Sequence, residues 1–327
     1  MARYLLRRIL GFLPLFFGIT VITFFVIHLA PGKPTDLDTS LNQKVSYEAR
    51  QRIEKLYGLD RPVHVQYALW LGALLKFDFG TSFIDGRSVA GKILESLPIT
   101  LAINILSIVL ILTVGIPLGI LASLKRGTVL DRLTTILVFI GFSMPGFWLS
   151  LLLMNYIGIG IRLFPVSGLT SVDFDSMTAA GKCLDVVRHL VCPVFVSAFG
   201  GLAGISRYTR TSMISVIHQE YITAARAKGL SENAVIYKHA LRNALLPIIT
   251  ILGLSIPGLI GGSVIFESVF AIPGMGRLFY DAVMSRDYPV IMGILNIGAI
   301  LTLLGNFIAD IAYSIADPRI RIAQEKR

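Results

Sequence analysis

The residues best suited to chemistry lie in one polar stretch of the second half of the chain. It reads Glu220-Tyr-Ile-Thr-Ala-Ala-Arg-Ala-Lys-Gly229, and His239, Arg242, Asn243 and Pro247 follow. Its carboxylate and guanidinium can form charge-assisted hydrogen bonds with another protein. Its alanines make a helix face with almost no side-chain bulk, which lets another backbone approach closely. These residues could therefore contact another protein.

Two short helices and a joint must position these residues. Residues 219–228 are rich in good helix formers, Gly229 is a natural C-terminal stop, and Ser231 can cap a second helix that runs through Tyr237. The polar stretch, 207–246, lies between two apolar segments. We therefore expect a folded feature outside the membrane. The alternative is a solvated loop between two membrane helices.

The composition is that of a protein that crosses a membrane several times. Mean hydropathy is +0.72, 54% of the 327 residues are hydrophobic and 15% are charged. The core of a soluble protein of this size does not require so many apolar residues. Six apolar stretches reach or approach the ~20 residues that cross the hydrocarbon layer, and the fourth is the shortest. They predict an all-α polytopic membrane protein with six transmembrane helices at residues 9–30, 98–122, 133–157, 190–206, 245–266 and 289–313.

The distribution of Lys and Arg predicts the orientation. Of the 30 such residues, sixteen lie at the two chain ends, in the polar stretch and between the second and third apolar stretches, whereas five lie in the two short loops on the other side. The positive-inside rule then places both termini and the polar stretch in the cytoplasm. The net charge of +10 reflects this topology and contact with anionic membrane lipid. Because the basic residues are dispersed, we expect no nucleic-acid partner.

The apolar stretches divide the chain into four parts. The first stretch follows a basic start, but it is too long for a signal peptide and no A-x-A cleavage site follows it, so we expect it to remain as an anchor. The parts are residues 1–30, the N-terminus and first transmembrane helix; 31–97, an outer loop subdomain; 98–315, the membrane core with the polar stretch; and 316–327, a cytoplasmic tail.

The outer loop subdomain has predicted structure of its own. Ser46 can cap a helix that continues to Leu56, and a second apolar helix is expected from Val63 to Leu75, with Tyr67 and Trp70 at the membrane interface. Two interpretations stay open. The subdomain either covers the helix ends, or it forms a lid or landing surface for an external solute-binding protein.

Several chemical signatures are missing from the sequence. Neither G-x-x-x-x-G-K-[ST] nor H-E-x-x-H occurs, so we predict no catalytic residue and no metal ligand. Within the six stretches the ionisable residues are His28 and Asp310, which we expect to be interfacial, with a coupling or gating role for Asp310 as the alternative. Cys183 and Cys192 could form a disulfide in an oxidising compartment, but two free thiols are the preferred interpretation.

The spacing Glu-x-x-x-Ala-Ala-x-x-x-Gly, with a His and a Pro further on, resembles the cytoplasmic coupling loop of importer-type ABC transporter permeases. Short motifs over nearly the whole chain resemble the dipeptide/oligopeptide branch, in the subunit with a long first outer loop. Tyr221 and Ile222 stand where many importer permeases have a small residue, a version that the peptide-importer branch resembles, whereas Lys33 stands where members of that branch often carry an acidic residue. The motifs are Pro31 to Pro34, Tyr57 to Pro62, Phe77 to Ser82, Ser143 to Trp148, Pro165 to Gly168, Pro273 to Arg277, Arg286 to Pro289 and Asp317 to Arg321.

This resemblance implies a type I ABC importer permease fold and ATP-driven import of di- or oligopeptides across a bacterial inner membrane. The implied partners are a homologous second permease, two ABC ATPase subunits that bind ATP and Mg, and an external binding protein. The chain itself would be no enzyme and would bind no cofactor. Nickel or another small solute is the nearer alternative cargo, and a secondary transporter is the more distant alternative. The implied ATPase-coupling residues are Glu220, Ala224, Ala225, Arg226, Gly229, His239, Arg242, Asn243 and Pro247.

Proline and glycine interrupt several apolar stretches, the fifth most of all. Each proline removes a backbone donor and can kink its helix. The glycines of the fifth stretch either allow close helix packing or line a transport pathway at a subunit interface, which the resemblance favours. The prolines are Pro14, Pro117, Pro145, Pro193, Pro247 and Pro257, and the pathway candidates are Gly253, Pro257, Gly258, Gly261 and Gly262.

Overall fold

The computed structural model describes residues 2–29, 60–259 and 261–316, without the side chains at 2–9, 254, 256, 257 and 309–316. The described segments confirm the predicted all-α fold. In chain order the helices are α1 (Ala2–Leu29), α2 (Val63–Leu74), α3 (Val89–Leu124), α4 (Val129–Ser143), α5 (Gly146–Gly160), α6 (Ala179–Ile217), α7 (Glu220–Ala227), α8 (Ala234–Ala244), α9 (Leu246–Ser255), α10 (Val264–Val269), α11 (Met275–Met284) and α12 (Tyr288–Ala316).

Four of the described helices are long and apolar enough to cross a membrane unbroken, namely α1, α3, α6 and α12. Two bent pairs pass the same test of length and composition when each pair is taken as one span: α4 and α5 meet at 103°, and α8 and α9 meet at 42°. By length and composition the described helices therefore allow up to six crossings, the number predicted. Of the second pair, α9 lies in the predicted stretch 245–266, whereas α8 lies in the polar stretch 207–246.

The predicted stretch 133–157 is divided between two helices because the chain turns sharply at Pro145, one of the prolines expected to kink its helix. Helix α4 ends at Ser143, Met144 is extended (φ −85°, ψ 116°), and α5 begins at Gly146. A proline supplies no backbone donor and disfavours helical geometry at the residue before it. The close contact also requires Gly146, because a Cβ there would lie 2.6 Å from the Phe266 ring.

The predicted stretch 245–266 is also interrupted. Helix α9 ends at Ser255, a 3₁₀ turn spans Ile256–Leu259, and Gly261 to Ser263 are not helical. Helix α10 then starts afresh, and the Ser263 hydroxyl caps it by accepting a hydrogen bond from the Phe266 N–H. The proline and three glycines of this region explain the interruption, since none of them favours a helix interior.

The predicted fourth crossing, 190–206, is much too short. Helix α6 has 39 residues and rises about 58 Å. Polar residues near its two ends lowered the local hydropathy, but the fold gives them partners. Asp185 accepts hydrogen bonds from the backbone and hydroxyl of Ser171, and Arg210 forms a two-bond ion pair with Asp131. Pro193 lies inside α6 without breaking it.

Helix α6 is the central element, and it packs along α3 and α4. Three apolar clusters follow one another along this bundle. One contains Phe24, Ile93 and Val290, the middle one contains Ile103, Val196 and Phe270, and the third contains Ile120, Met213 and Ile222. Because α3 contributes to all three, the bundle has an α2 end and an opposite α7–α8 end.

Four buried ionisable residues lie in the described helices but outside the six predicted stretches: Asp131, Asp185, His189 and Glu267. The helices that carry them extend beyond those stretches, and hydrogen-bond donors around the three carboxylates compensate for their burial. His28 lies near the end of α1, where its Nε2 is 3.2 Å from Gln66 Oε1 and its ring stacks on Phe24. The side chain of Asp310 is outside the described part.

The two cysteines are free thiols, as predicted. Both lie on α6, and nine residues of helix separate them by about 13 Å, which is too far for a disulfide. Cys183 is exposed, whereas Cys192 is buried.

The outer loop subdomain is described only from Asp60 onward. Helix α2 confirms the helix predicted to start at Val63, and its Tyr67 packs edge to face on Phe24, with its hydroxyl 3.0 Å from Thr20 Oγ1. The predicted helix of residues 46–56, the motif of 31–34 and the motif of 317–321 lie outside the described residues.

Candidate functional site

The predicted pair of short helices is confirmed in the polar stretch. Helix α7 spans Glu220–Ala227 with Gln219 at its N-cap, and Gly229 ends the turn with a positive φ of 79°. The Gly229 N–H donates to the Arg226 carbonyl oxygen. A Cβ at Gly229 would meet nothing within 4 Å, so backbone conformation rather than space requires glycine here.

The second helix, α8, starts as predicted after a serine cap. The Ser231 hydroxyl accepts a hydrogen bond from the Ala234 N–H at 3.4 Å. The first seven residues of α8 form a π-helical segment, Ala234–Ala240, before the α-helical turn Leu241–Ala244. Local π segments often occur at functional sites because they re-aim side chains. We call α7, the joint and α8 together the α7–α8 unit (219–244).

An apolar underside anchors the α7–α8 unit to the membrane core. Ile222 of α7 and Val235 and Ala240 of α8 are almost fully buried, against Met213 of α6 and Ile120 of α3. Burial of these side chains makes the unit a rigid extension of the two long helices. A push on the unit is therefore transmitted to the bundle.

The docking face differs in one residue from the predicted one. Ala225 was expected to face a partner protein, but it is only 7% exposed and belongs to the anchored underside. The helical period explains this, because Ala225 lies three residues after buried Ile222. Ala224 is exposed, as are Glu220, Tyr221 and Ala227. A small-residue face therefore remains, built on Ala224 and Ala227.

Two polar contacts inside the α7–α8 unit hold the joint. The Arg226 guanidinium donates to both carboxylate oxygens of Glu232, at 2.7 and 3.2 Å, and the pKa of Glu232 is lowered by that guanidinium. The Asn243 amide donates to the Tyr221 hydroxyl at 2.6 Å. Arg226 and Asn243, two of the predicted coupling residues, therefore make hydrogen bonds within this chain. Of the other predicted coupling residues, His239 is half-buried, and Arg242 and Pro247 are exposed.

The pathway candidates cluster at the interruption between α9 and α10. Gly258 is exposed and a Cβ there would meet nothing within 4 Å, so close helix packing does not explain it. Gly262 has a φ of 56°, and a Cβ there would lie 2.6 Å from the Gly276 nitrogen. Gly253 lies in α9, Gly261 is in open space, and the side chain of Pro257 is outside the described part.

A buried carboxylate beside this interruption escaped the sequence analysis. Glu267 of α10 is 4% exposed. Its Oε1 accepts hydrogen bonds from the Thr100 hydroxyl at 2.9 Å and the Ser263 N–H at 3.3 Å. Its Oε2 accepts from the Gly276 N–H at 2.7 Å and the Arg277 N–H at 3.1 Å. We call Glu267 and these four donors the carboxylate clamp.

The carboxylate clamp ties three elements together. Thr100 belongs to α3, and Gly276 and Arg277 are in the first turn of α11, where free N–H groups and the helix dipole favour an anion. Gly274 and Gly276 allow the approach, since a Cβ at Gly276 would lie 2.5 Å from Ser263. The sequence did contain a signal for this buried carboxylate. It is an acidic residue just after an apolar stretch, followed by Pro273-Gly-Met-Gly276.

A second buried carboxylate joins two motifs that lie far apart in the sequence. Asp287, between α11 and α12, accepts hydrogen bonds from the Ser82 hydroxyl and, at 3.0 Å, from the Phe83 N–H. Both Ser82 and Asp287 are buried. Nearby, a hydrogen bond from Lys92 lowers the pKa of Asp85 to about 2. The α2 end is therefore fastened by polar contacts that a linear reading does not reveal.

Within the described residues, no three His, Cys, Asp or Glu side chains form a group that could hold a metal ion. The arrangement instead provides an anchored pair of short helices with an exposed face at one end of the bundle, and an interrupted, glycine-rich segment farther along it.

Comparison with known proteins gives consistent matches over the chain. The family model described as the inner membrane component of binding-protein-dependent transport systems matches residues 115–322, and the N-terminal model of such components matches residues 1–104. The chain is 43% identical over 321 residues to the oligopeptide transport system permease protein AppB of Bacillus subtilis (strain 168), covering 98% of this chain and 99% of that protein.

Two further relatives align over a similar extent. The di/tripeptide transport system permease protein DppB of Pseudomonas aeruginosa (strain UCBPP-PA14) is 36% identical, and the dipeptide transport system permease protein DppB of Escherichia coli (strain K12) is 34% identical. Each alignment covers 98% of this chain and 99% of the relative.

Proposed function

Because this chain belongs to the family of inner membrane components of binding-protein-dependent transport systems, we propose that it imports di- or oligopeptides. It is a membrane-spanning transport subunit and not an enzyme. Its partners in the proposal are a homologous second permease, two ABC ATPase subunits that bind ATP and Mg, and an external binding protein that delivers the peptide. Both chain termini and the α7–α8 unit face the cytoplasm.

The observation that carries this proposal is the construction of the α7–α8 unit. One side is buried against α3 and α6, while the other presents Glu220, Tyr221 and Ala224 to solvent. A unit whose only role was to connect two crossings would need no such anchorage. An exposed face on a rigid base suits the transmission of a movement made by a docked partner.

In this mechanism the ATPases close when they bind ATP and move the α7–α8 unit with them. Helix α6 carries that movement along the bundle, because Met213 packs under the unit and Val196 packs against Phe270, just after α10. The interruption at Pro257 to Ser263 lets α9 and α10 move separately. The bundle thereby alternates access between its two sides, and the exposed backbone around Gly258 offers the peptide a weakly polar wall.

The partner assignment is tested by purifying the chain from its native membrane and identifying the co-purifying proteins. We expect a second permease and P-loop ATPases. Glu220→Arg should release the ATPases, whereas Asp175→Arg, which changes an exposed carboxylate outside the unit, should retain them. A chain that purifies alone and still transports would establish a secondary transporter instead.

The cargo is tested separately, with the transporter in vesicles and its binding protein outside. Labelled di- and oligopeptides should accumulate inside when ATP is supplied to the ATPases. Accumulation of nickel without accumulation of any peptide would select the alternative cargo. It would leave the importer assignment intact, because the ATPases would still be required.

A further inference from the structure

A polar cavity of about 260 Å³ lies between α3, α4 and α6, close to the α7–α8 end. Its polar lining consists of Thr134, Thr135, Ser206, Arg207, Arg210 and Thr211. The α7–α8 unit does not line it, so protein docking at that unit does not explain the cavity.

The cavity carries surplus positive charge. Both carboxylate oxygens of Asp131 accept hydrogen bonds from Arg210, at 2.6 and 2.9 Å, and one also accepts from the Gly127 N–H. That pair is neutral, but a guanidinium has five donors, so Arg210 keeps others for a ligand. Arg207 is exposed and forms no ion pair with any described residue. The ligand should therefore be an anion.

Two hydroxyls in the lining are also free to donate. Those of Ser206 and Thr211 make no hydrogen bond within the described part of the chain, whereas Thr134 and Thr135 donate to backbone carbonyls of their own helix. Arginine and hydroxyl donors around one cavity suit the oxygens of a phosphate group, which arginine can bind in a bidentate manner.

The cavity lies near the start of α4, on a helix with an exposed apolar surface. Thr135 lies six residues after the start of α4 at Val129, which is about 9 Å along the helix axis. Around the cavity, α4 presents exposed apolar side chains that suit acyl chains: Leu133, Ile136, Leu137, Phe139 and Ile140. Phe139 also lines the cavity itself.

We propose that this cavity binds the phosphate of an anionic phospholipid, such as phosphatidylglycerol or cardiolipin, with its acyl chains along α4. The proposal rests on the cytoplasmic orientation proposed above, because basic pockets between membrane helices on that side bind anionic head groups. A lipid seated here joins α4 to α6 beside the α7–α8 unit. Lipid composition would thereby influence the element that carries the ATPase movement.

The test measures lipid retained by the purified transporter complex, using native mass spectrometry during titration with phosphatidylglycerol or phosphatidylcholine. We expect preferential binding of phosphatidylglycerol. Arg207→Gln should weaken that binding about fivefold, and Arg207→Lys, which keeps the charge, should weaken it less. The matched control is Arg188→Gln, an exposed arginine at the other end of α6, which should leave binding unchanged.

Three outcomes would overturn the proposal. The first is equal binding of phosphatidylglycerol and phosphatidylcholine, or an equal loss of phosphatidylglycerol binding in Arg188→Gln and Arg207→Gln. The second is displacement of the lipid by inorganic phosphate at the same concentration, which would indicate a site for soluble anions. The third is displacement of the lipid by a peptide with a free C-terminal carboxylate but not by the corresponding peptide amide. That result would make the cavity part of the cargo pathway. Peptide uptake measured on the same samples separates these outcomes from failure of the importer assignment.

Discussion

The α7–α8 unit and the carboxylate clamp both join short helices through a glycine-containing turn, but different forces hold them. In the unit, the polar link is the Arg226–Glu232 ion pair, whose side chains are 40% and 57% exposed. In the clamp, Glu267 is 4% exposed and accepts four hydrogen bonds. Water can replace the first contact and has little access to the second.

This difference separates an adjustable joint from a fixed one. An exposed ion pair contributes little because water screens it and competes for both partners. A buried carboxylate is the only acceptor for the donors around it. If it is removed or displaced, each donor left without an acceptor lowers the free energy of unfolding by about 1–3 kcal/mol. We therefore expect the Arg226–Glu232 contact at the joint to be adjustable while the buried underside of the α7–α8 unit stays packed, and α10, α11 and α3 to move together.

The largest effect is expected from Glu267→Ala. It leaves four donors without an acceptor inside the bundle and should cost at least about 3 kcal/mol of stability. Thermal unfolding of the detergent-solubilised chain should shift clearly downward, and uptake should be lost. Glu232→Ala, which removes an exposed carboxylate, is the matched control and should change thermal unfolding little. Equal stability of the two variants would show that the clamp is not a fixed joint.

A second test compares two neighbouring glycines. Gly262→Ala places a Cβ 2.6 Å from the Gly276 nitrogen at a φ of 56° and should open the clamp. Gly261→Ala meets nothing nearer than 3.9 Å and should be tolerated. Thermal unfolding and uptake are measured for both. If Gly261→Ala were the more harmful change, the open side of the interruption, and not the clamp, would limit function.

An intermediate effect is expected at the joint of the α7–α8 unit. Gly229→Val forces a β-branched residue into left-handed geometry, which costs about 1–2 kcal/mol locally, so ATP hydrolysis should continue while uptake falls. The ratio of peptide transported to ATP hydrolysed is the measurement. Gly86→Val, at a φ of 68° with open space around it, is the matched control outside the unit. Normal coupling in Gly229→Val would contradict the role of the joint.

The smallest effect is the pH dependence of the Arg226–Glu232 pair. Because Arg226 lowers the pKa of Glu232 from its ordinary 4.5, the pair stabilises the joint above that value. This contribution is lost as pH falls through the lowered pKa. The protection factors of the α7 amides in hydrogen exchange, which are corrected for the intrinsic pH dependence of exchange, should therefore be constant from pH 7 to 5 and fall at lower pH. Glu232→Gln should abolish the difference in amide protection between pH 7 to 5 and lower pH. If the difference persists in that variant, another titrating group causes it.

Much of the fold and part of the site could be predicted from the sequence. The apolar stretches, the helix 63–74, the α7 and α8 helices and their Gly229 stop depend on local composition and on neighbouring residues. The bends at Pro145 and near Pro257 had local signals too, but the sequence did not tell a mild kink from a 103° turn. The packing partner on each side decides that angle.

The sequence alone determined that this is an α-helical membrane protein with a polar, helical segment, because hydropathy and helix signals are local properties of the chain. Only the tertiary structure decided which charges are buried and which alanine of α7 is exposed. Glu267 finds Thr100 across 167 residues, and Asp287 finds Ser82 across 205. Such contacts form where helices meet, and what makes a buried carboxylate stable is the set of donors that the fold places around it.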